Sequence, residues 1–164
     1  LGGEIWLDSE YSKGTTFYFS LPYSKDYGTD IKKDYKQETI NLKSLHGKTV
    51  LVVEDDKYNA AYINEILSET GLNLIHARNG KEAVSIAGLH DPDLILMDIG
   101  LPDINGYEAT NQILQNKPGL KIIAQTAYAA VDDMEKSIQA GCIDCISKPL
   151  ESKLLLHMIS KHLC

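Results

Sequence analysis

The sequence predicts an α/β fold, with helices wrapped around a parallel sheet, for residues 48–164. Short apolar runs of strand length alternate there with segments of helical periodicity, which is typical of parallel strands joined by helices. Two of the apolar runs end in acidic residues, at Glu54-Asp55-Asp56 and at Asp98. Open α/β sheets carry their chemistry at the carboxyl ends of the strands. The pattern therefore predicts both the fold and the edge of the sheet that holds a site.

Five strands and five helices are predicted in this segment. The strands cover residues 49–53, 73–77, 93–97, 121–125 and 142–147. The second helix is predicted to begin after Asn79, an N-cap residue, with Glu82 at its third position. The apolar helix faces expected to pack on the sheet are Ile63, Ile66 and Leu67; Ala83, Val84 and Ala87; Ile113 and Leu114; Met134 and Ile138; and Leu154, Leu155, Met158 and Ile159.

The N-terminal residues 1–23 show the alternation of a β-hairpin, with Ile5 and Leu7 in one strand and Phe17 and Phe19 in the next. An isolated hairpin is marginal in water. We therefore expect it to self-associate between chains or to dock on the domain that follows. Residues 24–47 lose the alternation, are rich in charged residues and are predicted to form a linker.

The composition is that of a folded, acidic protein. Hydrophobic residues make up 43% of the 164 residues, and the formal net charge of −7 disfavours direct binding of nucleic acid. No apolar stretch approaches the length that spans a bilayer, so we expect these residues in the cytoplasm. Cys142 and Cys145 form a lone C-x-x-C, which indicates two small buried side chains more than a zinc site.

Four features at strand ends are expected to meet at one edge of the sheet: Glu54-Asp55, Asp98, Thr126 and Lys148. Converging carboxylates repel one another, and a bound Mg²⁺ offsets that repulsion. Each group has a task if the substrate is a phosphoryl group. Asp98 is then the nucleophile that forms an aspartyl phosphate, Lys148 pairs with the phosphoryl charge, and Thr126 hydrogen-bonds a phosphoryl oxygen.

Four pieces of this sequence occur in a specific order and at a specific spacing: LVVEDD at 51–56, LILMDIGLPDING at 94–106, Thr126-Ala127 and Lys148-Pro149. Through them, residues 48–164 resemble the receiver domain of a two-component response regulator. The resemblance implies a flavodoxin-like fold, with five parallel strands in the order 2-1-3-4-5 and five helices. It also implies that the Lys-Pro bond is cis.

The resemblance assigns roles to the residues at the strand ends. It makes Asp98 the phosphoacceptor, Glu54 and Asp55 the acidic pair that binds Mg²⁺, and the carbonyl of Gly100 a further metal ligand. Thr126 becomes the hydroxyl that responds to the phosphoryl group, and Lys148 the lysine that contacts it. The chain departs from the family at Cys145, where receivers commonly have Tyr or Phe. A cysteine cannot fill the space of that ring, so the resemblance does not extend to the aromatic part of the usual conformational switch.

A second resemblance lies at the N-terminus. LGGEIWLDSE at 1–10, followed by KGTTFYF at 13–19, resembles the closing hairpin of the ATP-binding domain of histidine kinases. Together the two resemblances imply the C-terminal part of a hybrid sensor histidine kinase, with no kinase activity in these residues alone. The expected partners are the phosphohistidine donor domain of a histidine kinase and a histidine phosphotransfer protein. Anchoring of the parent chain in the inner membrane is left open.

Three other functions remain open at this point. An aspartyl-phosphate phosphatase of the haloacid dehalogenase type needs a second Asp two residues after the nucleophile, where this chain has Gly100. A flavodoxin-like nucleotide-binding module needs a Gly/Ser/Thr-rich loop after the first strand, where this chain has Glu54-Asp55-Asp56. A pseudo-receiver, an interaction platform without phosphorylation, is disfavoured by the intact acidic pair but kept open by Cys145.

Overall fold

The structure, a computed structural model, describes residues 3–22, 45–127 and 131–164, with the side chains of residues 131–133 excepted. The chain divides into two compact units, residues 1–38 and 39–164. Most of the predicted linker, residues 24–44, lies outside the described residues. Leu45, at the end of that predicted linker, is fully buried in the core of the second unit.

The first unit contains an antiparallel β-hairpin, as the alternation predicted. β1 (Ile5–Glu10) pairs with β2 (Gly14–Phe19), and the rings of Trp6 and Tyr18 stack across the pair with centroids 5.6 Å apart. Gly14 adopts a φ of +121°, a conformation that glycine reaches without strain. Every residue of both strands is exposed. The hairpin therefore has cross-strand contacts but no core of its own.

The second unit is an α/β sandwich whose elements alternate along the chain. They are β3 (Thr49–Val53), α1 (Lys57–Leu67), β4 (Asn73–Ala77), α2 (Gly80–His90), β5 (Leu94–Asp98), α3 (Gly106–Asn116), β6 (Lys121–Thr126), α4 (Val131–Gln139), β7 (Asp144–Ser147) and α5 (Ser152–Leu163). The strands pair in parallel in the order β4-β3-β5-β6-β7. This is the predicted order 2-1-3-4-5, so the flavodoxin-like fold is confirmed.

The sheet separates two hydrophobic layers because successive strand residues point to opposite faces. Val50 and Val52 pack in the layer with Ile63 of α1 and Leu155 of α5. Leu51 and its neighbours pack in the other layer, with side chains of α2 and α3. The central strands β3 and β5 are buried almost throughout, which explains why they read as continuous apolar runs. Their carboxyl ends therefore lie in the middle of one edge of the sheet.

Strand boundaries differ slightly from the prediction. β5 and β6 extend to Asp98 and Thr126, so both residues end a strand instead of following one, and β7 begins only at Asp144. The predicted N-cap of α2 is confirmed, since Asn79 accepts the N–H of Glu82 at 2.9 Å. No helix among the described residues is long and apolar enough to cross a membrane.

The predicted apolar face of α4 is wrong. Met134 and Ile138 are 51% and 56% exposed, whereas Ser137 is fully buried. Ala140, just after the helix, is buried as well. In this segment the small side chains of Ser137 and Ala140 are therefore the buried ones, and the two large apolar side chains lie in solvent.

Candidate functional site

Three carboxylates converge at the carboxyl edge of the sheet, as predicted. Glu54 directly follows β3, Asp55 comes next, and Asp98 ends β5, the neighbouring strand. One carboxylate oxygen from each residue lies within 4.8 Å of the others. Glu54 and Asp98 are buried, at 3% and 6% exposure, while Asp55 is exposed. The cluster therefore opens to solvent on the side of Asp55.

Lys148 holds the two buried carboxylates together. Its ammonium Nζ lies 2.7 Å from Glu54 Oε2 and 2.7 Å from Asp98 Oδ2. Burial by itself lowers the pKa of Lys148, but the hydrogen bonds to Asp98 and Glu54 outweigh burial, and the pKa is raised. Lys148 is therefore a cation that offsets the repulsion between buried carboxylates. The sequence predicted its position at this edge but not that it pairs with both acids.

Asp98 has a defined orientation because both of its oxygens accept hydrogen bonds. Lys148 donates to Oδ2, and the backbone N–H of Gly100 donates to Oδ1 at 2.9 Å. A side-chain carbon at position 100 would lie 3.7 Å from Oδ1, an ordinary van der Waals contact, so space at this oxygen does not by itself require glycine. The role of the Gly100 carbonyl as a metal ligand stays a prediction.

Glu54 is oriented by the start of α1, a feature that the sequence analysis missed. Its Oε1 accepts a hydrogen bond from Asn59 Nδ2 at 3.2 Å and a longer one from the backbone N–H of Asp56 at 3.4 Å. Asp56, grouped in the sequence with the acidic run, is the N-cap of α1 and accepts the N–H groups of Tyr58 and Asn59. The role of Asn59 could have been predicted from its position in the sequence, because it lies in the first turn of the helix that begins beside the acidic cluster.

Thr126 lies at the end of β6 and is 6% exposed. Its carbonyl accepts the backbone N–H of Lys148 at 2.7 Å, and the Lys148–Pro149 bond is cis, as the resemblance implied. β6 thus holds the backbone of Lys148 directly beside the cluster. Cys145 is half-buried in β7 and packs on the hydrophobic layer of α2 and α3. Burial raises the pKa of the neighbouring Cys142 to about 11, so Cys142 is a neutral thiol.

The donor set of this site fits Mg²⁺. Carboxylate oxygens are the ligands this ion prefers, and it typically binds through one or two carboxylates while it keeps several waters. Glu54, Asp55 and Asp98 supply the oxygens, and the exposure of Asp55 leaves room for water on one side. Among the described residues, the group formed by Glu54, Asp55 and Asp98 is the one in which at least three side chains with potential metal-binding atoms come close enough to share an ion.

Comparison with known proteins identifies the class. Residues 50–160 match the model of the response regulator receiver domain, and the chain belongs to this family. The polar-differentiation response regulators DivK of Brucella anthropi and Brucella ovis are 37% and 36% identical to it over 118 residues. Each match covers 71% of this chain and 96% of the relative. A receiver domain takes part in phosphorelay signalling, so neither the phosphatase nor the nucleotide-binding module describes this chain.

Two solved structures are informative neighbours. One is the receiver domain of the sensor histidine kinase PA1611 from Pseudomonas aeruginosa, with a magnesium ion coordinated in its active-site cleft. It is 34% identical, with a TM-score of 0.67 over 71% of this chain and 98% of that one. The other is the complex of the Saccharomyces cerevisiae phosphotransfer protein Ypd1 with the receiver domain of Ssk1. The chain of that complex that matches is 30% identical, with a TM-score of 0.68 over 71% of this chain and 89% of the matching chain.

Proposed function

We propose that this receiver domain accepts a phosphoryl group from a phosphohistidine onto Asp98, in a reaction that requires Mg²⁺. The observation that carries the proposal is the setting of Asp98, a buried carboxylate oriented by the Gly100 N–H and Lys148 within a cluster of acids. An acid in a purely structural role has no need of two further carboxylates beside it, because their repulsion costs stability.

The transfer exchanges one bond for another. A carboxylate oxygen of Asp98 attacks phosphorus, an O–P bond forms, and the P–N bond to the donor imidazole breaks, with the electron pair leaving on the imidazole nitrogen. Glu54, Asp55, Asp98 and the Gly100 carbonyl would hold Mg²⁺, which when bound supplies positive charge against the phosphoryl oxygens. The Gly100 N–H keeps the carboxylate of Asp98 in one orientation during the approach.

After transfer, Lys148 and Thr126 take new partners. The Lys148 ammonium can exchange its contact with Asp98 Oδ2 for a phosphoryl oxygen while it retains Glu54. The hydroxyl of Thr126, at the end of the neighbouring strand, would hydrogen-bond another phosphoryl oxygen. Cys145 is smaller than the aromatic residue common at this position and cannot fill the space of a Tyr or Phe ring, so we do not extend the proposal to the aromatic part of the switch.

Intact-mass spectrometry after incubation with Mg²⁺ and acetyl phosphate tests the proposal. We expect one phosphoryl group on the wild type, none on Asp98→Asn and none when the metal is chelated. Asp91→Asn is the matched control, because Asp91 is an exposed aspartate paired with Lys117 outside the cluster. Absence of an adduct on the wild type, or an adduct that persists in Asp98→Asn, would favour the pseudo-receiver function.

A protein that carries a phosphohistidine is the partner we infer. Tyr58 and Tyr62 of α1 are 72% and 47% exposed beside the site, and Tyr62 hydrogen-bonds the carbonyl of Leu150 just after Lys148-Pro149. Such exposed aromatic side chains suit an apolar contact with a helical donor domain. Slower transfer from a phosphorylated phosphotransfer protein to Tyr58→Ser, with unchanged acetyl phosphate reactivity, would support this face as the contact.

We also infer that the parent chain is a hybrid sensor histidine kinase. The support is the hairpin resemblance, together with the apolar side chains of Ile5, Phe17 and Phe19, which are 66% to 76% exposed and would be covered in a larger domain. The mass per chain from light scattering tests the exposed face. We expect self-association that Phe17→Ser/Phe19→Ser abolishes, and a light-scattering mass that these substitutions leave unchanged would show that this face does not associate between chains.

A further inference from the structure

The loop from β5 to α3, residues 99–105, carries the Gly100 N–H that orients Asp98. Its two ends are held together, since Gly106 donates to the carbonyl of Ile99, the first residue after β5, at 3.1 Å. A side-chain carbon at position 106 would lie 2.2 Å from the carbonyl oxygen of Asp98, so only glycine allows this approach. Leu101, buried in the core, holds the loop next to Gly100, and the exposed residues 102 and 103 need an attachment of their own.

Asp103 provides that attachment by capping α2. Its carboxylate accepts the N–H groups of Gly80 at 2.8 Å and Lys81 at 3.1 Å, the first two residues of the helix. Asn79 accepts the N–H of Glu82, and the intrahelical bonds begin at the next residue. The N-terminus of α2 is therefore capped by two side chains, one from its own segment and one from the loop beside Asp98.

A close contact accompanies this cap. A side-chain carbon at Gly80 would lie 2.5 Å from Ile104 Cγ1 and 2.8 Å from its carbonyl oxygen, so glycine lets the loop lie directly on the helix start. Asp103 is exposed, and although some desolvation of its carboxylate raises the pKa, the N–H groups of Lys81 and Gly80 outweigh this and the pKa is lowered. Asp103 is thus a carboxylate at neutral pH, the charge that the N-terminus of a helix favours.

We propose that Asp103 is a positioning residue of the site, which acts by tying the loop that carries Gly100 to α2. The inference rests on the proposed function, since it concerns how Asp98 and the Gly100 carbonyl are presented to Mg²⁺ and the phosphoryl group. Without the tie, the loop keeps the buried side chain of Leu101 and the packing of Ile104 on Gly80, but it loses its hydrogen bonds to α2 and gains conformations around residues 102–103. Metal binding and phosphoryl transfer must then order the loop themselves, which weakens the first and slows the second.

The test compares Asp103→Ala with Asn79→Ala. Both variants remove a cap from the same end of α2 and should lower the thermal midpoint similarly, but only Asp103→Ala frees the loop. We expect Asp103→Ala to weaken Mg²⁺ binding, measured by titration calorimetry, and to slow phosphorylation by acetyl phosphate. Both effects should be roughly tenfold, the lower end of the range for groups that orient metal ligands.

Asn79→Ala should leave the Mg²⁺ affinity and the phosphorylation rate unchanged, and Asp103→Asn, which keeps one acceptor oxygen, should restore part of both. Equal Mg²⁺ affinities and rates in Asp103→Ala and Asn79→Ala would overturn the inference while the wild type still accepts a phosphoryl group on Asp98. A wild type that accepts none would overturn the proposed function instead, and the Mg²⁺ affinities would still judge the role of Asp103.

Discussion

The two edges of the five-stranded sheet arrange their acidic groups in opposite ways. At the amino edge, Asp93 accepts the N–H of Thr49 at 2.8 Å and pairs with Lys48 at 3.0 Å, and Asp144 lies near both Lys161 and His162. At the carboxyl edge, three carboxylates gather around Lys148. At the amino edge, both of these aspartates thus have hydrogen-bond donors or cations as partners. At the carboxyl edge, the three carboxylates carry more negative charge than Lys148 neutralises.

This difference indicates that the acids of the amino edge stabilise the fold, whereas those of the carboxyl edge serve function. A satisfied acid contributes to folding, because its charged form has better partners in the folded than in the unfolded chain. An excess of buried carboxylates opposes folding and favours a bound cation. The charge imbalance of the carboxyl edge is therefore a stronger indication of function than the number of acids. It predicts that equivalent substitutions at the two edges change stability by different amounts or with different sign.

Lys148→Ala should have the largest effect. It leaves Glu54 and Asp98 buried without their cation and should cost roughly 2–4 kcal/mol in the free energy of unfolding, measured in urea without metal. Addition of Mg²⁺ should recover part of this loss, because the ion binds the folded state. Lys161→Ala, at the exposed pair of the amino edge, is the control and should cost less than about 1 kcal/mol. Equal losses would remove the contrast between the edges.

Asp93→Asn should destabilise the domain by about 1 kcal/mol at neutral pH, since the amide keeps part of the hydrogen bonding but loses the charge. The N–H of Thr49 and the ammonium of Lys48 lower the pKa of Asp93, so its contribution is present above the ordinary carboxyl pKa and is lost as the pH falls through the lowered value. When the pH is lowered from neutral to strongly acidic, the free energy of unfolding, measured in urea, should therefore fall less for the variant than for the wild type. A parallel pH profile would contradict this account.

Asp98→Asn should have the smallest effect on stability and the opposite sign. Removal of one charge relieves the repulsion in the cluster, while Lys148 keeps its contact with Glu54. We expect a change within about 0.5 kcal/mol in the stabilising direction without metal, and a weaker response to Mg²⁺. A loss comparable to that of Asp93→Asn would show that the carboxyl edge is built for stability as well.

Much of the fold and the site could be predicted from local pattern. The strand runs, the N-cap at Asn79 and the convergence of Glu54, Asp55 and Asp98 follow from periodicity and from the rule that parallel strands end at one edge. The exposure of Met134 and Ile138 could not be predicted in this way. Helical periodicity places apolar residues on one stripe, but how closely a helix approaches the sheet decides which stripe faces it.

The sequence by itself determined the order of the elements, the parallel sheet and the residues at its carboxyl edge, because these depend on spacing along the chain. Only the tertiary structure decided that Lys148 pairs with both Glu54 and Asp98, that Asn59 orients Glu54, and that Asp103 caps a helix 23 positions earlier. The physical reason is that hydrogen bonds and ion pairs depend on distances of about 3 Å between side chains far apart in the chain, and packing alone sets those distances.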